Sequence, residues 1–109
     1  MDLKEILKKC QLNEIEMNEY LEMTKNIDHK KDHSLAYRTM MNPIRRDLLK
    51  YIGTDMRTFE QILGNFELEE DQIRYHLSML EQLVYVMNTE RGWIATPRGI
   101  GFIYNAIMG

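Results

Sequence analysis

His29 and His33 stand four residues apart and are flanked by Asp28 and Asp32. On a helix this spacing puts two imidazoles on one face, where with a carboxylate they can chelate a divalent metal. Lys30 and Lys31 lie between them, and the whole run NIDHKKDH (Asn26 to His33) has the composition of a linker. A solvated segment is therefore the expectation, and no metal site is assigned. The single cysteine, Cys10, excludes an internal disulfide framework and an all-cysteine zinc site. It lies on an apolar stripe and reads as a small packing residue rather than a nucleophile. There is no glycine-rich phosphate loop and no Ser/His/Asp set in a supporting context. Neither catalysis nor a cofactor is expected.

The chain has 109 residues, enough for one domain with its own core. Apolar residues make up 44% and charged residues 28%, so it is neither disordered by composition nor membrane-embedded. Its apolar runs are only a few residues long, too short for a membrane span. MDLKEILKKCQ at the N-terminus has no apolar stretch or small-residue cleavage site, so a cytoplasmic protein is the expectation. The formal net charge of −3 disfavours nucleic acid as a partner, because that binding needs cationic surface.

Leu3, Ile6, Leu7 and Cys10 follow i, i+3, i+4, i+7 and give one helix an apolar face. Asn13 can cap a second helix with Met17, Tyr20, Leu21, Thr24 and Ile27 on one stripe. A single long helix through Gln11 to Asn13 is the alternative. Ser34 is a candidate cap for a short helix from Leu35 to Met41. Asn42-Pro43 then starts a helix strongly, since Pro at the first position gives up only a donor that had no partner. Ile44, Leu48, Leu49 and Ile52 form its buried face, Arg45, Arg46 and Lys50 face elsewhere, and Gly53 ends it.

Met56-Arg57 reads as a stub of strand. Thr58 with Gln61 is a capping-box pattern for a helix from Phe59 to about Asn65, with Phe66 and Leu68 anchoring the turn after it. A longer helix follows from about Glu70 to Leu83, burying Ile73, Leu77 and Leu80 and opening with acids that suit the positive end of the helix dipole. The period then changes. Val84–Met87 and Trp93–Ala95 are β-prone around a turn-like Asn88–Gly92, which is a hairpin signature. Thr96-Pro97 begins a last helix to Met108, with Ile100, Ile103, Tyr104 and Ile107 on its stripe. Met40, Met41, Met79, Met87, Trp93 and Tyr104 all fall in apolar patterns and read as packing residues.

Helix, short helix, turn, longer helix and hairpin, in that order in about fifty residues, resemble the winged helix-turn-helix family of prokaryotic and archaeal transcription regulators, in particular ArsR-like members. MMNPIRRDLLKYI is similar to the family's opening helix, RTFEQILGNFELEEDQIRYHLSMLEQLVYV to its two-helix unit with His-Leu-x-x-Leu, and GWIATPRG to the second wing strand and its Thr-Pro-x-Gly. The resemblance runs from about Leu35 to Ile107. It implies a mostly α fold with a small β-hairpin wing and extra N-terminal helices. Residues 1–33 would be an amphipathic helical extension, a candidate dimerisation element, and residues 34–109 the winged helix domain.

The resemblance further implies that the second helix of the unit enters the major groove of double-stranded DNA. Its outward side chains would be Asp71, Gln72, Arg74, Tyr75 and Ser78. Arg74 would suit guanine and Gln72 adenine, each through two hydrogen bonds. Arg57 and Thr58 would hold a phosphate, and Arg91 at the wing tip would reach the backbone or the minor groove. His76 reads as a packing residue beside the core. The family's metal sensors carry a Cys-x-Cys or paired acids and histidines in the last helix; neither is present, so metal sensing is not implied.

Charge is distributed against that picture. Glu69 to Leu83 holds Glu69, Glu70, Asp71 and Glu81 against Arg74 alone, so the reading helix is the most acidic block of the chain. Acids can accept from cytosine but repel phosphates. The alternative is therefore a winged-helix protein-interaction module whose acidic helix docks a basic partner. The N-terminal stripes, unpartnered in so small a domain, suit pairing with a second chain. A two-fold homodimer would match a pseudo-palindromic DNA site.

Overall fold

A computed structural model describes residues 1–107. Among these the chain is mostly helical, with seven α-helices and one small antiparallel sheet. The elements are α1 (Leu3–Lys9), α2 (Glu14–Thr24), α3 (His29–Met40), α4 (Pro43–Ile52), β1 (Met56–Arg57), α5 (Phe59–Asn65), α6 (Glu70–Gln82), β2 (Val86–Thr89), β3 (Gly92–Ala95) and α7 (Pro97–Phe102). A π-helical turn, Ile103–Ile107, continues α7. The expected last helix is thus α-helical only to Phe102, and Met108, its expected end, lies outside the described residues. No helix among them is long and apolar enough to cross a membrane.

Cap chemistry fixes most of the boundaries. Asn13 and Glu16 form a reciprocal capping box at α2, so the chain breaks between α1 and α2 instead of running on as one helix. Asn42 accepts from the Ile44 amide in front of Pro43, and Thr96 accepts from the Gly99 amide in front of α7. One expectation fails. The helix before Asn42 begins at His29, capped by Asp28, whose carboxylate accepts from the Lys30 and Lys31 amides. Ser34 is not a cap, and the NIDHKKDH run is a helix start: its acids suit the dipole, and Leu35, Ala36 and Met40 supply the packing face.

Leu48, Leu49 and Ile52 of α4, Ile62 of α5, and Ile73, Leu77 and Leu80 of α6 are fully buried with Val86 and Ile94 of the sheet and Ile100 of α7. Each such side chain contributes about 1.5–3 kcal/mol of burial, and truncating one, as in Leu77→Ala, costs about 2–5 kcal/mol. From the N-terminal segment Ile6 enters this core, and α1 packs on α7. Leu3 and Leu7, on the predicted stripe, stay exposed.

Arg45 is also corrected: instead of facing away it is buried on α4. Its Nη1 donates to the Thr39 carbonyl at 3.2 Å, and Arg46 Nη1 donates to the Met40 and Met41 carbonyls at 2.7 and 2.9 Å. Two arginines thereby satisfy the orphan carbonyls at the end of α3 and set the corner between α3 and α4.

In the sheet, β3 lies between β1 and β2. The hairpin pairs Thr89 with Gly92 and Val86 with Ala95, leaving a tight Glu90-Arg91 tip. β2 therefore starts two residues later than the β-prone run suggests. Val84 and Tyr85 instead close α6: their amides donate to the Glu81 and Leu80 carbonyls, with Val84 at φ 55° in the left-handed region. That is a Schellman ending with valine at the position glycine usually holds.

Candidate nucleic-acid interface

α5 and α6 meet the hairpin at a cleft of about 250 Å³. Three of the expected site residues line it: Thr58 at the start of α5, Arg74 on α6 and Arg91 at the hairpin tip. Phe59 and Glu60 of α5 and Asn88, Thr89, Glu90, Gly92 and Trp93 of the hairpin complete it, so two carboxylates share the cleft with the two arginines. The Arg74 guanidinium lies over the Phe59 ring, 4.0 Å from its centroid, and Arg74 Nε is 3.5 Å from Glu70. The aromatic face and the carboxylate one turn back hold this exposed cation in place.

Arg91 is not a free wing-tip cation. Its Nη2 pairs with Glu16 on α2 and donates to the Gln11 carbonyl at 3.1 Å. Thr58 is a helix cap: its hydroxyl accepts from the Gln61 amide and its own amide donates to Gln61 Oε1. Arg57 is turned back toward α4. Its Nε donates to the Tyr51 carbonyl at 3.0 Å, its guanidinium stacks on the Tyr51 ring, and Asp55 lies 3.4 Å away. It does not line the cleft.

The remaining expected residues sit elsewhere on α6. Gln72 Oε1 accepts from the Glu69 amide at 3.1 Å, closing the helix start. Bidentate reading of adenine uses that same oxygen, so it requires the cap to open. Tyr75 is exposed, and Ser78 Oγ donates to the Tyr75 carbonyl at 2.7 Å. Behind Tyr75, Arg45 places its guanidinium 5.5 Å from the ring centre and donates from Nε to His76 Nδ1 at 3.2 Å. Burial, and then the Arg45 charge, pull the His76 pKa below its ordinary 6.5.

No family model, curated protein or solved structure matches the chain.

Glu69, Glu70 and Asp71 are all exposed at the start of α6, and among the described residues only Glu70 of the three has an ion pair, with Arg74. His29 and His33 fall one turn apart on α3, both exposed. Among the described residues no group of three or more His, Cys, Asp or Glu is gathered to hold a metal. Cys10 is half-buried, its thiol 3.6 Å from the Ala95 carbonyl, and burial raises its pKa. A thiol in that state is protonated and a poor nucleophile.

Proposed function

We propose that this chain is a cytoplasmic, ArsR-like winged helix-turn-helix transcription regulator that binds double-stranded DNA without chemistry. In this reading α6 enters the major groove and the β2–β3 hairpin is the wing. The observation that carries it is the cleft in which Thr58, Arg74 and Arg91, from three separate elements, converge. The order α4, α5, α6, hairpin supports it, as does a Gln72-Arg74-Tyr75 face turned away from Ile73 and Leu77. Arg74, pre-oriented on Phe59, is the side chain best placed to read a base. A homodimer would present two such faces.

The test is DNA binding at low salt by the wild type and Arg74→Ala. The expected result is salt-dependent binding, with about 1–3 kcal/mol lost in the variant. Absence of binding at every salt concentration, or an unaffected variant, overturns the reading. The exposed Glu69, Glu70 and Asp71 favour a second one, a protein-interaction module that docks a basic partner. Clean flow-through on a heparin column at low salt supports that second reading; retention that salt reverses supports the first.

A further inference from the structure

Two exposed surfaces of this chain are apolar at the centre, edged by charge, and opposite in sign. One is on α1. Leu3 is 66% exposed and Leu7 46%, one helical turn apart. Lys4 and Lys8 run beside them with the same spacing. Ile6, on another face of the helix, anchors α1 in its own core. Among the described residues no ion pair engages Lys4 or Lys8.

The other surface is a trench between α2 and β2, the outer strand of the sheet. Cavities of about 360 and 200 Å³ run along it and share Glu19, Met87 and Asn88. A third depression continues over the outer face of α2. Ile15, 71% exposed, and Met23, 50% exposed, form the apolar wall. Glu19, Glu22 and Glu81 edge it, and Glu90 closes the hairpin end. The one lining cation, Arg91, is already held by Glu16. Among the described residues Glu19, Glu81 and Glu90 have no ion pair, and Glu22 has one, an exposed contact with Lys25 three residues on.

We propose that this trench is filled by α1 of a second copy of the chain, and that the exchange is reciprocal about a two-fold axis. Leucines then meet Ile15 and Met23 while Lys4 and Lys8 meet Glu19 and Glu22. The dimensions agree: seven residues of α1 span about 10 Å, and Ile15 to Met23 about 12 Å. A two-fold contact requires each chain to carry both halves of the interface, as this one does. α1 keeps its place in its own core, so no segment is swapped. The inference is independent of DNA binding, because it is read without DNA.

The experiment is analytical ultracentrifugation of the full chain with two charge-reversed variants, Lys4→Glu/Lys8→Glu and Glu19→Lys/Glu22→Lys. The wild type is expected to dimerise, more weakly at high salt. Each variant alone places like charges against each other and self-associates at least ten-fold more weakly. An equimolar mixture restores opposite charges at both contacts and recovers the dimer, which misfolded variants cannot do. Leu7→Asp, at an exposed position, gives a monomer that keeps the wild-type helical circular-dichroism spectrum, its melting temperature falling only to that of the wild type diluted below its dimerisation range. A dimer indifferent to the reversals, or variants that do not recombine, overturns the proposal. So does a wild type monomeric at every concentration, which leaves a basic segment of another protein as the trench's candidate occupant.

Discussion

Arg45 donates its Nε–H to Nδ1 of His76 across 3.2 Å, joining α4 to α6 through a bond that exists only while the imidazole is neutral. Burial and the Arg45 charge both hold the His76 pKa below 6.5. As pH falls through about 6.5 the unfolded chain takes up a proton at this site that the folded chain refuses until a lower pH. Between those two values the unfolded state binds more protons, so stability falls with pH; above 6.5 the contribution is constant. Thermal unfolding followed from about pH 7.5 to pH 5 is expected to show this decline. His76→Gln keeps an acceptor for Arg45 without a titrating ring, and its melting temperature should fall less steeply. Identical slopes for the two proteins would sink the assignment.

Gly99 and Gly64 should respond to alanine in opposite directions. A Cβ on Gly99 would fall well inside contact distance of the Tyr85 carbonyl oxygen, with Leu49 Cδ1 at 3.3 Å on another side. That carbonyl also accepts from the Thr96 amide, so it cannot easily withdraw. Gly99→Ala is expected to cost about 2–3 kcal/mol, roughly 10 °C or more in melting temperature. Gly64, within α5, has nothing within 4 Å of an added Cβ. Gly64→Ala should raise stability by about 0.5–1 kcal/mol through helix propensity alone. Denaturant titration of both variants checks the pair, and the same sign for both would refute the packing argument.

What the sequence discloses and what it hides divide along the range of the interactions. The caps at Asn13, Asn42, Thr58 and Thr96 are legible because a cap joins residues two or three apart. The buried faces of α4 and α6 are legible because period 3.6 survives in any context. Arg45 is not legible as a buried residue, since its partner His76 lies 31 positions away. Arg91 appears free at a hairpin tip until α2, 75 positions away, supplies Glu16. Val84 hides a helix ending because no glycine announces the left-handed residue. The outward residues of α6 are likewise readable as identities, but not their engagements: Gln72 committed to a cap, Arg74 to Phe59.

Glu16 restrains the hairpin tip, and releasing it should strengthen DNA binding under the function proposed above. Glu16→Gln removes the charge that pairs with Arg91 but keeps a side-chain oxygen to accept from the Asn13 amide, so the capping box survives. One freed arginine that gains a phosphate contact steepens the salt dependence of binding by about one unit of slope. The measurement is affinity for duplex DNA across a salt series. Equal slopes for wild type and Glu16→Gln would show that removing the Glu16 charge gives Arg91 no additional phosphate contact.

Arg98 ties three elements together from within the Thr-Pro-x-Gly run. Its Nε donates to the Leu83 carbonyl at 3.0 Å, satisfying the end of α6, and its Nη2 pairs with Asp32 of α3 at 2.6 Å. Its guanidinium also lies 5.4 Å from the Tyr85 ring centre. Arg98 and Asp32 side chains are only 22% and 23% exposed, so solvent screens this pair less than it does a surface pair. Arg98→Met keeps most of the apolar stem but leaves the Leu83 carbonyl and the Asp32 carboxylate without their donor. A loss of about 2–3 kcal/mol is expected. Asp32→Asn preserves an acceptor for Nη2 and should cost less than half as much. Both values come from urea unfolding at neutral pH. Two variants of equal cost would mean that Arg98 acts through Asp32 alone, and that its bond to the end of α6 adds nothing.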